Sequence, residues 1–153
     1  MQGRVLAHLV GMAGAIPRRI LIAGAGSVGC YVGGRLSAAA RAVTLLARPR
    51  VIAEIKEHGL TLSDLDGRSA EISADALRLT DDPVAMAGAD LILVTVKSRD
   101  TAAMGKLIAA HAKPDTVIVS LQNGTANAER LRVLVGGRLV IAGMVPFNVL
   151  SRG

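Results

Sequence analysis

Five short apolar runs, rich in valine, isoleucine and leucine, recur along the chain, separated by longer stretches in which alanine and leucine are frequent. The runs are continuous rather than alternating, which marks strands buried on both faces. The pattern predicts strands over 19–23, 42–46, 90–95, 116–120 and 138–142, and helices over 27–40, 50–57, 82–87, 99–112 and 126–134. Asp81 or Thr80 would cap the third helix through a side-chain oxygen. Strands and helices in alternation specify an α/β architecture, a mainly parallel sheet wound with helices on both faces. The stretch "LTLSDLDGRSAEISADALRL" at 60–79 breaks the rhythm, because it sets Asp66-Gly67 between two alternating runs and so predicts an inserted β-hairpin.

A chain of 153 residues suits one domain of ordinary size, and no repeat, linker or low-complexity segment divides it. We expect an N-terminal extension at 1–18 and one domain at 19–153. Tyr31 and Phe147 are the only aromatic residues, so the core must be built from alanine, valine, leucine and isoleucine, which favours close packing of helix on sheet. The longest stretch without a charge, 20–34, is fifteen residues broken by five glycines. It falls short of the roughly 18 apolar residues a membrane span requires. An arginine followed by an apolar run within 1–19 looks superficially like a secretory signal or an import leader. The strand expected immediately afterwards favours a plain extension.

Charge changes the picture more. Residues 1–50 carry seven arginines and no acid, whereas 51–153 carry eleven basic and twelve acidic side chains. A net charge of +6 invites a nucleic-acid partner, but the sequence has neither a lysine/arginine run nor an aromatic stacking platform, so none is expected. Cys30 is the single cysteine, which excludes an internal disulfide and suits a reducing cytoplasm. It lies in the first turn of a predicted helix, where the dipole favours a thiolate, although a small packed side chain is the simpler reading. His8, His58 and His111 lack metal-ligand spacing, and no GxSxG elbow occurs.

Four features carry candidate chemistry. In "ILIAGAGSVG" the loop Gly24, Ala25, Gly26, Ser27, Val28, Gly29 follows a strand and opens a helix, the context of a Rossmann dinucleotide fingerprint. Gly24 would make the turn, Gly26 would admit a pyrophosphate, and Gly29 would let helix and strand approach. Arg48 ends the second strand in "AVTLLARPR", where an NAD site places an acid to accept from the ribose hydroxyls; a guanidinium pairs instead with a 2′-phosphate and indicates NADP. Arg50 could share or replace that role, and Arg48 could simply start the next helix. Lys97 in "DLILVTVKSRD" reaches the carboxyl end of another strand, suited to a cofactor ribose, a phosphate or a substrate carboxylate, or else to a solvated loop. Asn123 in "SLQNG" offers a donor and an acceptor beside the next strand, though Asn-Gly is also an ordinary turn pair.

In order and spacing, "GAGSVG", "LLAR", "LILVTVKS" and "SLQNG" resemble the ketopantoate reductase family, also called 2-dehydropantoate 2-reductases, across about residues 19–150. The resemblance implies a Rossmann-like NADP-binding domain with Arg48 at the 2′-phosphate, Lys97 at the cofactor near the active site, and Asn123 touching cofactor and substrate. It also implies hydride transfer from NADPH to the keto carbon of 2-dehydropantoate, giving pantoate for coenzyme A synthesis. Family members complete the site with a lysine and an acid from a helical C-terminal domain. No residue here matches that proton-donating lysine, so the 153-residue polypeptide is expected to bind NADPH yet turn over poorly, and to self-associate or bind a partner through uncovered apolar surface. A related hydroxyacid or glycerol-phosphate dehydrogenase, a nucleotide-sensing module and a docking half are the competing readings.

Overall fold

Six parallel strands form the main sheet of the structure, a computed structural model in which residues 19–150 are described; the expected extension at 1–18 lies outside them. In chain order the elements are β1 (Arg19–Ala23), α1 (Ser27–Ala38), β2 (Ala42–Leu46), α2 (Pro49–His58), β3 (Leu60–Ser63), β4 (Ser69–Ile72), β5 (Arg78–Thr80), β6 (Leu91–Val94), α3 (Thr101–His111), β7 (Val117–Ser120), α4 (Thr125–Leu134) and β8 (Val140–Ala142). The spatial order is β5-β2-β1-β6-β7-β8, with every neighbouring pair parallel, and β3 and β4 form a separate antiparallel hairpin. The chain winds outward from β1 to β2 and β5, then returns to β6 on the other side of β1. Between the carboxyl ends of β1 and β6 lies the switch point, where open α/β sheets bind their ligands.

Side chains of β1 alternate between two cores, as the period of a strand requires. Leu21 and Ala23 join Met86, Ile92, Ile108 and Leu131 on the face covered by α3 and α4, while Ile20 and Ile22 join Val43, Leu45, Ile55 and Leu62 on the other. The hairpin is fastened over α1 by polar contacts. The Tyr31 hydroxyl donates to Asp64 at 2.6 Å, the Arg35 guanidinium pairs with the same carboxylate and lies 5.4 Å from the Tyr31 ring centroid. Together the Tyr31 hydroxyl and Arg35 hold the Asp64 carboxyl below its ordinary range. Beyond β8 the chain returns to α1, where Phe147 packs edge-on against Tyr31 with ring centroids 5.3 Å apart.

Four expectations need correction. Residues Pro83–Gly88 form a 3₁₀ helix rather than an α-helix, a short connector begun by proline; its cap is Asp82, which accepts from the Val84 amide at 2.9 Å. Thr80 instead accepts from the Asp82 amide at 3.0 Å, and Asp81 caps nothing. The expected hairpin ends at Ile72, and the remainder of its run supplies β5, a sixth strand that pairs with β2 at the sheet edge. The helix expected over 99–112 is split, a 3₁₀ turn at Ser98–Asp100 preceding α3.

Candidate functional site

The glycine loop is built against its two neighbouring strands. Leu46, the last residue of β2, accepts from the Gly24 and Ala25 amides at 3.2 and 2.9 Å, and the Thr95 hydroxyl beyond β6 donates to the Gly24 carbonyl at 2.8 Å. Gly24 has φ +96°, and a Cβ there would stand 2.2 Å from Val96 Cγ1, so turn conformation and space both demand glycine. At Gly29 a Cβ would lie 2.7 Å from Thr95 Oγ1 and 2.9 Å from the Gly24 carbonyl, so the first turn of α1 runs too close to the strand ends for any side chain there. Gly26 differs: an added Cβ meets nothing within 4 Å. It opens onto free space at the start of α1, a helix with no side-chain cap, whose first amides have no intrahelical partner. A pyrophosphate fits that combination of open backbone, exposed amides and positive dipole end.

Arg48, Lys97 and Asn123 stand in line with this loop. They follow β2, β6 and β7, so with the loop after β1 they occupy the carboxyl ends of four adjacent strands. All three are exposed. Arg48 caps α2 with extended backbone, and among the described residues it makes no ion pair. Arg50, its competitor, lies 3.8 Å from Glu54 on the next turn of α2. The free guanidinium is therefore that of Arg48. The Lys97 carbonyl accepts from the Asp100 amide at 2.8 Å, which turns the chain sharply just beyond the carboxyl end of β6. Asn123 precedes Gly124, whose φ of +83° reverses the chain into α4.

Cys30 is placed as a packing residue. Its thiol donates to the Ala25 carbonyl at 3.6 Å, and burial, aided by the charge of Glu54, pushes it up to about 11. The packed reading holds, because desolvation outweighs any help from the helix dipole. Among the described residues no group of three or more histidine, cysteine or acidic side chains could hold a metal, and no helix is long and apolar enough to cross a membrane. The sequence reading missed Thr95, Thr101, Gln122 and Asn127, which are bonded around the turns after β6 and β7. The one visible signal was amide and hydroxyl side chains beside, or one helical turn from, the strand ends.

A glycine turn at the switch point of a doubly wound parallel sheet, with cations at neighbouring strand ends, defines a Rossmann-type nucleotide-binding domain. The chain belongs to the ketopantoate reductase PanE/ApbA family, whose model matches residues 20–153. It is 33% identical over 126 residues to the 2-dehydropantoate 2-reductase of Halobacterium salinarum, covering 82% of this chain and 40% of that one. Among solved structures, a PanE/ApbA family ketopantoate reductase from Ralstonia eutropha JMP134 superposes with TM-score 0.73 and 37% identity, over 81% of this chain and 40% of the other. A D-mandelate dehydrogenase in ternary complex with NADH and anilino(oxo)acetate matches with TM-score 0.67 and 26% identity, over 82% and 40% of the two chains. The chain spans 37–40% of the length of the curated relatives it matches.

Proposed function

We propose that residues 19–153 form the NADPH-binding unit of a cytoplasmic 2-dehydropantoate 2-reductase, an enzyme that reduces the keto carbon of 2-dehydropantoate to the hydroxyl of pantoate on the route to coenzyme A. The observation that carries this reading is the row of glycine loop, unpaired Arg48, Lys97 and Asn123 across four adjacent strand ends. The amides of Ser27, Val28 and Gly29 at the start of α1 hold the pyrophosphate, with Gly24 and Ala25 fixing the turn and Gly26 leaving it open. Arg48 pairs with the 2′-phosphate, Lys97 with a cofactor ribose or phosphate near the reacting carbon, and Asn123 with the nicotinamide ribose and the substrate. NADPH, when bound, supplies the hydride. Substrate selection and protonation of the new alkoxide belong to residues contributed by a helical domain, as the family resemblance implies.

Ile141, Met144, Phe147 and Leu150 leave apolar surface exposed along β8 and the segment after it. That surface suits a second domain or a second copy of the chain. The cofactor reading is tested by titrating the 153-residue chain with NADPH and NADH, following nicotinamide fluorescence. Tighter NADPH binding is expected; equal affinity, or a preference for NADH such as the mandelate dehydrogenase complex would suggest, overturns the role given to Arg48.

A further inference from the structure

We propose that Asn127, supported by Thr101 and Gln122, is a positioning residue that sets the distance between the Lys97 turn and the Asn123 turn for the nicotinamide end of the cofactor; this rests on the cofactor reading above. Asn127 lies on α4, one helical turn beyond Asn123, and is buried. Its amide nitrogen donates to the Asn123 carbonyl and to the Ser98 hydroxyl, both at 2.9 Å. Those acceptors lie on different loops, one following β7 and the other β6. On its other side Asn127 Oδ1 accepts from the Thr101 hydroxyl at 3.1 Å. Gln122 completes the cluster, its amide nitrogen donating to Thr101 Oγ1 at 2.7 Å and to the Val96 carbonyl at 2.9 Å, while its Oε1 accepts from Ser120 at 3.2 Å.

Sheet pairing cannot set this spacing. The Leu121 amide donating to the Val94 carbonyl at 2.9 Å is the last backbone bond between the extensions of β6 and β7 among the described residues. Past it, the hydrogen bonds between the two turns among the described residues run through amide and hydroxyl side chains. Apolar side chains of similar shape would join α3 to α4 without any need to satisfy buried polar atoms. Directional bonds, by contrast, fix where two loop backbones stand relative to each other. The geometry is also continuous with the phosphate turn, because Thr95, next to Val96, holds the Gly24 carbonyl.

The test compares two ligands on the 153-residue chain: NADPH, and the adenosine fragment that keeps the 2′-phosphate and lacks the nicotinamide. Asn127→Asp keeps the acceptor for Thr101 and loses both donated bonds. It is expected to weaken NADPH about tenfold while the fragment stays within roughly twofold of wild type. A purely structural role would weaken both ligands alike, so equal losses, or unchanged NADPH affinity, overturn the proposal. Ser98→Ala, at an exposed residue, keeps the question open to test should N127D fail to fold. About threefold weaker NADPH with unchanged fragment binding is expected there, and no change overturns the proposal. Wild-type chain that binds the fragment but gains nothing from the nicotinamide half would overturn this inference alone; wild type that binds neither would overturn the cofactor reading and the inference with it.

Discussion

Gly26→Ala separates the binding role of the glycine loop from its folding role. Gly26 adopts φ −89° and ψ −156°, a conformation open to alanine, and its added methyl would meet nothing within 4 Å. Alanine restricts the unfolded chain, worth about 0.4–1 kcal/mol, but it is a poorer residue than glycine at a helix N-cap by a similar amount. The two terms offset, so the melting temperature should stay within about 2 °C of wild type. The methyl nevertheless occupies the space into which the pyrophosphate must come. Overpacking of about 1–3 kcal/mol there corresponds to roughly fivefold to 150-fold weaker NADPH binding. Gly24→Ala is the converse, since φ +96° and a Cβ 2.2 Å from Val96 Cγ1 impose strain and a clash before any ligand arrives. Together these cost about 2–5 kcal/mol and lower the melting temperature by roughly 5–15 °C. Thermal melts paired with NADPH titration by fluorescence read both effects. A Gly26→Ala chain that binds NADPH like wild type would show that the pyrophosphate does not lie over this loop.

Replacing Arg48 with alanine should cost NADPH about 2 kcal/mol of affinity and leave NADH nearly unchanged, because only the former carries the 2′-phosphate; parallel titrations decide it. Asp90, held by the Lys113 ammonium at 2.9 Å and by Arg19, has its carboxyl lowered from 3.8 to about 2. Its contribution is fully present above the unfolded value and is lost as pH falls through about 2. Asp90→Asn should therefore be about 1 kcal/mol less stable than wild type at pH 6, after allowance for solvent screening, with the gap shrinking to a small fraction of that near pH 2. A denaturation gap that persists in acid contradicts the assignment. Cys30, with its thiol pushed up to about 11 from 9.0, should react with a thiol reagent at neutral pH roughly a hundredfold more slowly than an unperturbed cysteine. Fast labelling of the folded chain would mean that the thiol is not packed as described.

That the glycine loop, Arg48, Lys97 and Asn123 would share one end of the sheet was legible because each sits where an apolar run stops, and a parallel sheet gathers all such stops at one end. Their order along the chain then implied their proximity in space. β5 was hidden because its three residues, RLT, continue the alternation of the hairpin before them, and only pairing with β2 distinguishes the two. The 3₁₀ helix at Pro83–Gly88 reads as an α-helix by composition, since Met86 on a six-residue connector can fill the core from either conformation. Asn127 was missed for a different reason. An asparagine inside a helix looks like a surface residue until the loops it holds are seen to fold back over it.

The ion cluster of Arg19, Asp90 and Lys113 lies at the amino ends of β1, β6 and β7, and the bonded turns of Thr95, Gln122 and Asn127 lie at the carboxyl ends of the same strands. The three strands thus act as short rods clamped at one end and fitted with interchangeable tips at the other. Substitutions at the tips can therefore alter what is bound there while the clamps keep the rods in register.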